Sequence, residues 1–320
     1  MLKLKAICDA DISGSAVPDL VICACGYEGR ATAVAAKMHE LGMNPASRQV
    51  AFGFGTQQVL KYSENKAWFE AHGFDVVETM DESFRQGVDA ILRETSQHLD
   101  HVKIEIDVSC LNRFRLAHLI DAVRCMEVKS AAVNFHYCLA EYTPPIEDAA
   151  PIVTVEPVIP QFSGWTTRPD RPPAAIVGLG YETNKAIGVV DHLEINNATW
   201  AFYPVSPIPE YHDSLQQANE SLLRLIQTDG RCRPYEVGQP AKLFQEVNSL
   251  VHMLRTNFNI VLIPFGPKLF ALVVLLVGCM HDDVGVWRVS SDSLEQAVNR
   301  VSSGNFIGLH VDFLGETTDF

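Results

Sequence analysis

Positive charge is scarce in this sequence: 25 Lys and Arg stand against 39 Asp and Glu, a formal net charge of -14. Affinity for long DNA or RNA comes mainly from dense Lys and Arg meeting phosphates, so bulk nucleic-acid binding is not expected. A small anionic ligand held by a few placed groups remains open. The eight cysteines fall at no paired spacing, which points away from a disulfide framework and toward reduced, buried thiols in a cytoplasmic protein. His98 and His101 suit one helical face but have no further ligand nearby, so no metal is expected. The longest apolar stretch, Leu269 to Met280, holds 12 residues, against the roughly 20 that cross a bilayer. It reads as a buried helix. The opening MLKLKAICDADISG has neither the apolar run nor the cleavage site of a secretory signal. No membrane association is expected. No Walker A sequence and no complete G-x-G-x-x-G is present, and no cofactor is called for.

What the chain does contain is a repeat. Its 320 residues, 47% hydrophobic and 20% charged, exceed the usual size of one hydrophobic core and suggest two domains. DLVICACGYEGRATAVAAKM from Asp19 resembles AAIVGLGYETNKAIGVVDHL from Ala174. Both read as strand, Gly-Tyr-Glu, helix. The parallel continues through QVAFGFG and TWAFYPV, FDVVE and RPYEV, VKIEIDVS and NIVLIPFG, and finally AAVNFHYC and VGVWRVS, each pair separated by helical patterns. Five near-continuous apolar strands alternating with four helices predict a mostly parallel sheet covered on both faces. The expected fold is therefore α/β, with two tandem Rossmann-like doubly wound units. Their predicted spans are 1–142 and 174–320, joined by a proline-rich connector at 143–173 in which IVTVEPVI could form an edge strand.

Ligands of open α/β sheets bind beyond the carboxyl ends of the strands, so the loops after the first and fourth strands are the places to search. In the first half they carry Gly26, Tyr27, Glu28 and Arg30, then Asp107, Ser109, Asn112 and Arg113. In the second half they carry Gly180, Tyr181, Glu182 and Lys185, then Gly266 and Lys268. Gly26 and Gly180 either let an anion approach the first helix or only make the strand-to-helix turn. Glu28 and Glu182 recur where a carboxylate would repel phosphate, so a cation must balance each. One reading pairs Glu28 with Arg113 and Glu182 with Lys268 as braces; the other gives the acids to ribose hydroxyls and the cations to phosphate. Asp107 could cap the next helix or, with Glu28, serve as an acid or base. The first half holds more such groups, so it is the richer candidate if one copy alone is active. Tyr137, Tyr142 and Trp165 are placed to stack on a base or to pack at an interface.

Gly26-Tyr27, Gly180-Tyr181, the loop Ser109 to Arg113 and the loop Gly266 to Lys268 make the chain resemble the CRISPR-associated Rossmann-fold (CARF) sensor domains. The closer resemblance is to the SAVED arrangement, in which two such domains are fused. It covers most of 19–140 and 174–292. The resemblance implies a nucleotide-binding regulatory or sensor subunit of a bacterial antiviral defence complex, with a small nucleotide ligand and a protein partner that carries the effector activity. The glutamate in each first loop departs from that pattern, and no effector domain is evident in the sequence. Two other readings stay open: an enzyme acting on a nucleotide or nucleoside, and a scaffold subunit without chemistry.

Overall fold

Strands without a polar side must be covered on both faces, and that requirement organises this chain. LVICAC is buried at all its positions, and PAAIVG and NIVLIP at all but the first. The structure is a computed structural model that describes residues 1–12, 17–43, 48–144, 152–164, 168–226, 230–290 and 297–315. The chain divides into two units, Met1–Glu141 with Ala297–Phe320, and Tyr142–Gln296.

The first unit runs β1 (Lys3–Ala10), β2 (Leu20–Cys25), α1 (Ala33–Glu40), β3 (Arg48–Phe54), α2 (Tyr62–Ala71), β4 (Asp75–Thr79), α3 (Asp81–Ser96), β5 (His101–Asp107), α4 (Arg113–Arg124) and β6 (Ser130–Ala140). The second runs β7 (Thr154–Pro157), a 3-10 turn at Pro160–Phe162, β8 (Pro173–Gly178), α5 (Lys185–His192), β9 (Thr199–Val205), α6 (Glu210–Ala218), α7 (Glu220–Ile226), β10 (Cys232–Glu236), α8 (Pro240–Leu254), β11 (Asn259–Pro264), α9 (Lys268–Met280) and β12 (Gly285–Ser290). A last strand, β13 (Ser302–Leu314), returns to the first unit.

The repeat is real. The first sheet contains the order β6-β5-β2-β3-β4 and the second β12-β11-β8-β9-β10, with every neighbouring pair parallel. Counted within each repeat, both read fifth, fourth, first, second, third. The order reverses between the first and fourth strands, which is the switch point of a doubly wound sheet. The apolar run after Pro267 forms α9, buried from Leu269 to Cys279, as a helix that is hydrophobic all round should be. Among the described residues, no helix is long and apolar enough to cross a membrane.

The units differ in what flanks the five strands. In the second, β7 pairs antiparallel with β12, so the IVTVEPVI segment does form an edge strand and belongs to a sheet. In the first, β13 lies antiparallel between β6 and β1. The expected boundary at 174–320 therefore changes: the second unit stops at Gln296 and the chain end is part of the first. The physical reason is plain in the packing. Leu309, Val311 and Phe313 are fully buried, and one edge of β6 would be left without its paired neighbour if β13 were removed. Trp165 lies outside the described residues.

Phe313→Ala should cost about 3–5 kcal/mol, the range for truncating a buried aromatic. Urea unfolding followed by amide exchange should show the loss in β1, β5 and β6, with β8 and β11 unaffected; equal loss in both units would contradict the discontinuous assignment.

Candidate functional site

The loops after the first and fourth strands touch in both units. In the first, a Cβ placed on Gly26 would lie 3.1 Å from the Cβ of Cys110. In the second, a Cβ on Gly180 would fall 2.5 Å from the backbone N and Cα of Gly266, and one on Gly266 would fall 2.3 Å from the Leu179 carbonyl. Gly266 also takes φ +72, so glycine is required there on two counts. The same Cβ on Gly180 would lie 2.1 Å from a carboxylate oxygen of Glu182, which places that acid directly over the loop.

A further pair, absent from the sequence reading, holds these loops. Asn65 in α2 donates from Nδ2 to the carbonyls of Gly26 and Glu28, 2.8 Å each. Asn219, between α6 and α7, donates to the Gly180 carbonyl at 2.7 Å and to that of Leu215 at 2.9 Å. Both asparagines are buried, and each stands 39 residues beyond its glycine. Laying one repeat over the other would have found them.

In the first unit the charged groups engage one another. Arg30 Nε donates to Glu28 Oε2 at 2.6 Å, one terminal nitrogen donates to the Cys138 carbonyl at 2.7 Å, and the other to the Ser109 carbonyl at 3.3 Å. Its guanidinium lies 5.4 Å from the Tyr137 ring centre. Arg30 is 3% exposed and Glu28 5%. Burial works against the charge on Arg30, but Tyr137 and Glu28 outweigh it and raise its pKa. Arg300 reaches the other oxygen of Glu28 at 3.2 Å. The charge on Glu28 is thus balanced by Arg30, two residues on, and by an arginine from the chain end. Tyr137 packs under Arg30.

Asp107 is 2% exposed. Its Oδ1 accepts the Ser109 N–H at 2.8 Å, and its Oδ2 has no hydrogen-bond partner among the described residues. Burial pushes its pKa up, against the lowering effect of Ser109. The α4 cap is Asn112, whose Oδ1 accepts the Arg115 N–H at 2.7 Å, so Asp107 is not the helix cap. Ser109 Oγ accepts the Cys138 N–H at 2.8 Å. Behind Asp107 a polar row crosses the sheet: His136 bonds Glu105, Asn134 Nδ2 donates to Glu105 at 2.8 Å, and His310 donates to Asn134 Oδ1 at 2.7 Å. Arg115, also missed in the sequence, is buried in α4 and ties Asp81 at 2.7 Å to the carbonyls of Gly53 (3.0 Å) and Thr79 (2.7 Å).

In the second unit Tyr181 stacks on Tyr211 with ring centres 5.3 Å apart, and Tyr142 meets Tyr211 edge-on at 5.1 Å. Tyr142 also bonds Ser214 at 2.8 Å. Lys185, buried, opens α5, and Lys268 opens α9. Arg113 opens α4 in the first unit.

No protein-family model and no curated protein matches the chain. Among solved structures, one assigned as a universal stress protein from Pseudomonas aeruginosa UCBPP-PA14 aligns over 88% of this chain and 95% of its own, at 10% identity and TM-score 0.26. A functionally unknown protein from Pseudomonas aeruginosa PAO1 aligns over 87% and 92%, at 10% identity and TM-score 0.24. The fold assignment rests on the strand order itself.

Asn65→Ala and Asn219→Ala should each destabilise by about 1–3 kcal/mol, because they leave buried loop carbonyls unmet. Chemical denaturation of the single variants measures this, and a cost near zero would mean the loops hold without them.

Asp107 gives a pH prediction. Its raised folded pKa means the folded chain keeps this proton above the unfolded value of about 3.9. The stabilisation from that proton is complete below the unfolded value and is lost as pH rises toward the folded one. The unfolding free energy of Asp107→Asn minus wild type should therefore grow from about pH 4 toward the folded pKa. A flat difference would show that Asp107 titrates in the folded chain as it does unfolded, and one that shrinks would show that its folded pKa is lowered instead.

Proposed function

We propose that the chain is a nucleotide-binding regulatory subunit whose ligand sits at the carboxyl ends of the strands and whose effector activity belongs to a protein partner. The carrying observation is the repeated switch point: one strand order twice, with the loops after the first and fourth strands in contact each time. Ligands of open α/β sheets collect at that place. Arg113 and Lys268 stand at the starts of the helices that leave it, and the half-buried Tyr181–Tyr211 stack beside Gly180 supplies the kind of ring surface a base packs on. The acidic net charge fits a small ligand better than a long nucleic acid. The resemblance to CRISPR-associated sensors supports a defence complex as the setting. An enzyme reading keeps one supporting observation, the raised pKa of Asp107, against the burial of both Asp107 and Glu28.

A thermal-shift screen of the chain against mono-, di- and cyclic nucleotides, followed by mass spectrometry of the bound species, tests this. Stabilisation by a nucleotide recovered unchanged is the expected result. A chemically altered product would favour the enzyme, and no shift with any nucleotide would leave the scaffold. Lys268→Ala should weaken binding by about 1.5–3 kcal/mol if its ammonium meets the ligand.

A further inference from the structure

We infer that the first unit's switch point is filled by the chain's own residues Asn299 to Val301 and takes no ligand, so that the chain has one ligand site, in the second unit. This rests on the reading that the switch points are where ligand would bind. In a strand-turn-helix unit, the backbone N–H groups ahead of the first helix are the donors that meet an anion. In the first unit two consecutive donors of this kind are already met; the second unit's Asn184 N–H, which matches that of Arg30, is met too, by the Ala218 carbonyl at 3.0 Å, so the contrast between the units rests on Gly29. Gly29 N–H donates to Asn299 Oδ1 at 2.7 Å, and Arg30 N–H to the Arg300 carbonyl at 3.1 Å. A side-chain amide oxygen and a backbone oxygen thus stand where ligand oxygens would.

The segment is fastened at this contact and directly after it. Arg300 is paired with Glu28 at 3.2 Å, the Val301 carbonyl accepts the Glu141 N–H at 2.9 Å, and Ser302 pairs with Ala140 as β13 begins. The Arg30 guanidinium, which could have met a phosphate, is committed to Glu28 and two carbonyls.

Sequence and sterics agree with this. A Cβ at Gly29 would stand 3.2 Å from Asn299 Oδ1 and 3.8 Å from Val301, so a larger residue would press on the segment. In the second repeat the matching position is Thr183, and it is exposed. The residue that is glycine where the segment crosses has a branched side chain in the other copy.

Two measurements on the full chain test this, with ADP as the probe. Amide exchange should show the Gly29 and Arg30 N–H groups protected in the wild type and unaffected by ADP. Gly29 should exchange about tenfold faster or more in Asn299→Ala while β13 stays protected. Calorimetry should give one ADP per chain, weakened about tenfold or more by Lys268→Glu and retained by Gly29→Thr. Two equivalents, or a single site weakened by Gly29→Thr but indifferent to Lys268→Glu, would overturn the inference. If ADP does not bind, the screen of the other nucleotides decides the nucleotide reading, and the exchange arm alone decides this inference. Rapid wild-type exchange at Gly29, or no response to Asn299→Ala, removes the segment's role, and protection lost in the variant keeps it.

Discussion

The buried guanidinium of Arg30 is the contact on which the carboxyl edge of the first sheet depends. A charge taken out of water is tolerated only with close partners, and removing one partner from a buried pair commonly costs about 3–5 kcal/mol. Arg30 meets that demand by drawing in Glu28 from its own loop, the Ser109 carbonyl from the loop after β5 and the Cys138 carbonyl from β6. Three segments distant in sequence are thereby fixed to one planar group. Arg300 then supplies the second cation that Glu28 can accept. The second unit brings the same two loops together without a buried arginine at this place, by setting Gly180 against Gly266 so closely that neither could bear a side chain. One topology is held by charge in one copy and by the absence of side chains in the other.

That difference explains why duplication of the fold does not imply duplication of the site. What the repeats share is the scaffold: strand order, parallel pairing, and an asparagine 39 residues past the loop glycine. What they do not share lies in the loop and in the neighbours of the fifth strand, where β13 flanks β6 and β7 flanks β12. Sites are grafted on folds, so one fold can carry different sites.

The parts legible in the sequence were those governed by local pattern. LVICAC, TWAFYPV and NIVLIP announce buried parallel strands because neither of their faces can be left in water, and the Gly-Tyr-Glu turns then align the repeats. The location of the candidate site followed from topology. The partners of Glu28 did not, because Arg30 turns inward only once Cys138 and Ser109 are in place, and Arg300 stands more than 270 residues away in the chain. Ile307, Leu309, Val311 and Phe313 do alternate as a strand should, yet nothing local says that such a strand crosses back to a sheet begun near residue 20. β1 is harder still, since it is an edge strand with mixed exposure and lacks a strong apolar alternation. Asn112 and Asp107 show the same limit on a smaller scale: both types can cap a helix, and only the geometry awards the cap to Asn112.

The return of the chain also couples two properties that would otherwise be separate. β13 carries three fully buried side chains into the first sheet, and the residues directly before it carry the oxygens that meet Gly29 and Arg30. Because Ser302 already pairs with Ala140, the segment at 299–301 has little slack with which to leave the switch point. Freeing the Gly29 and Arg30 donors would expose Glu28 without one of its arginines and begin to strip the strand that covers β6. Closure of this mouth is thus supported by the same buried apolar surface that stabilises the sheet, and an anion seeking that place must compete with part of the folding energy of the unit rather than with a loosely held loop.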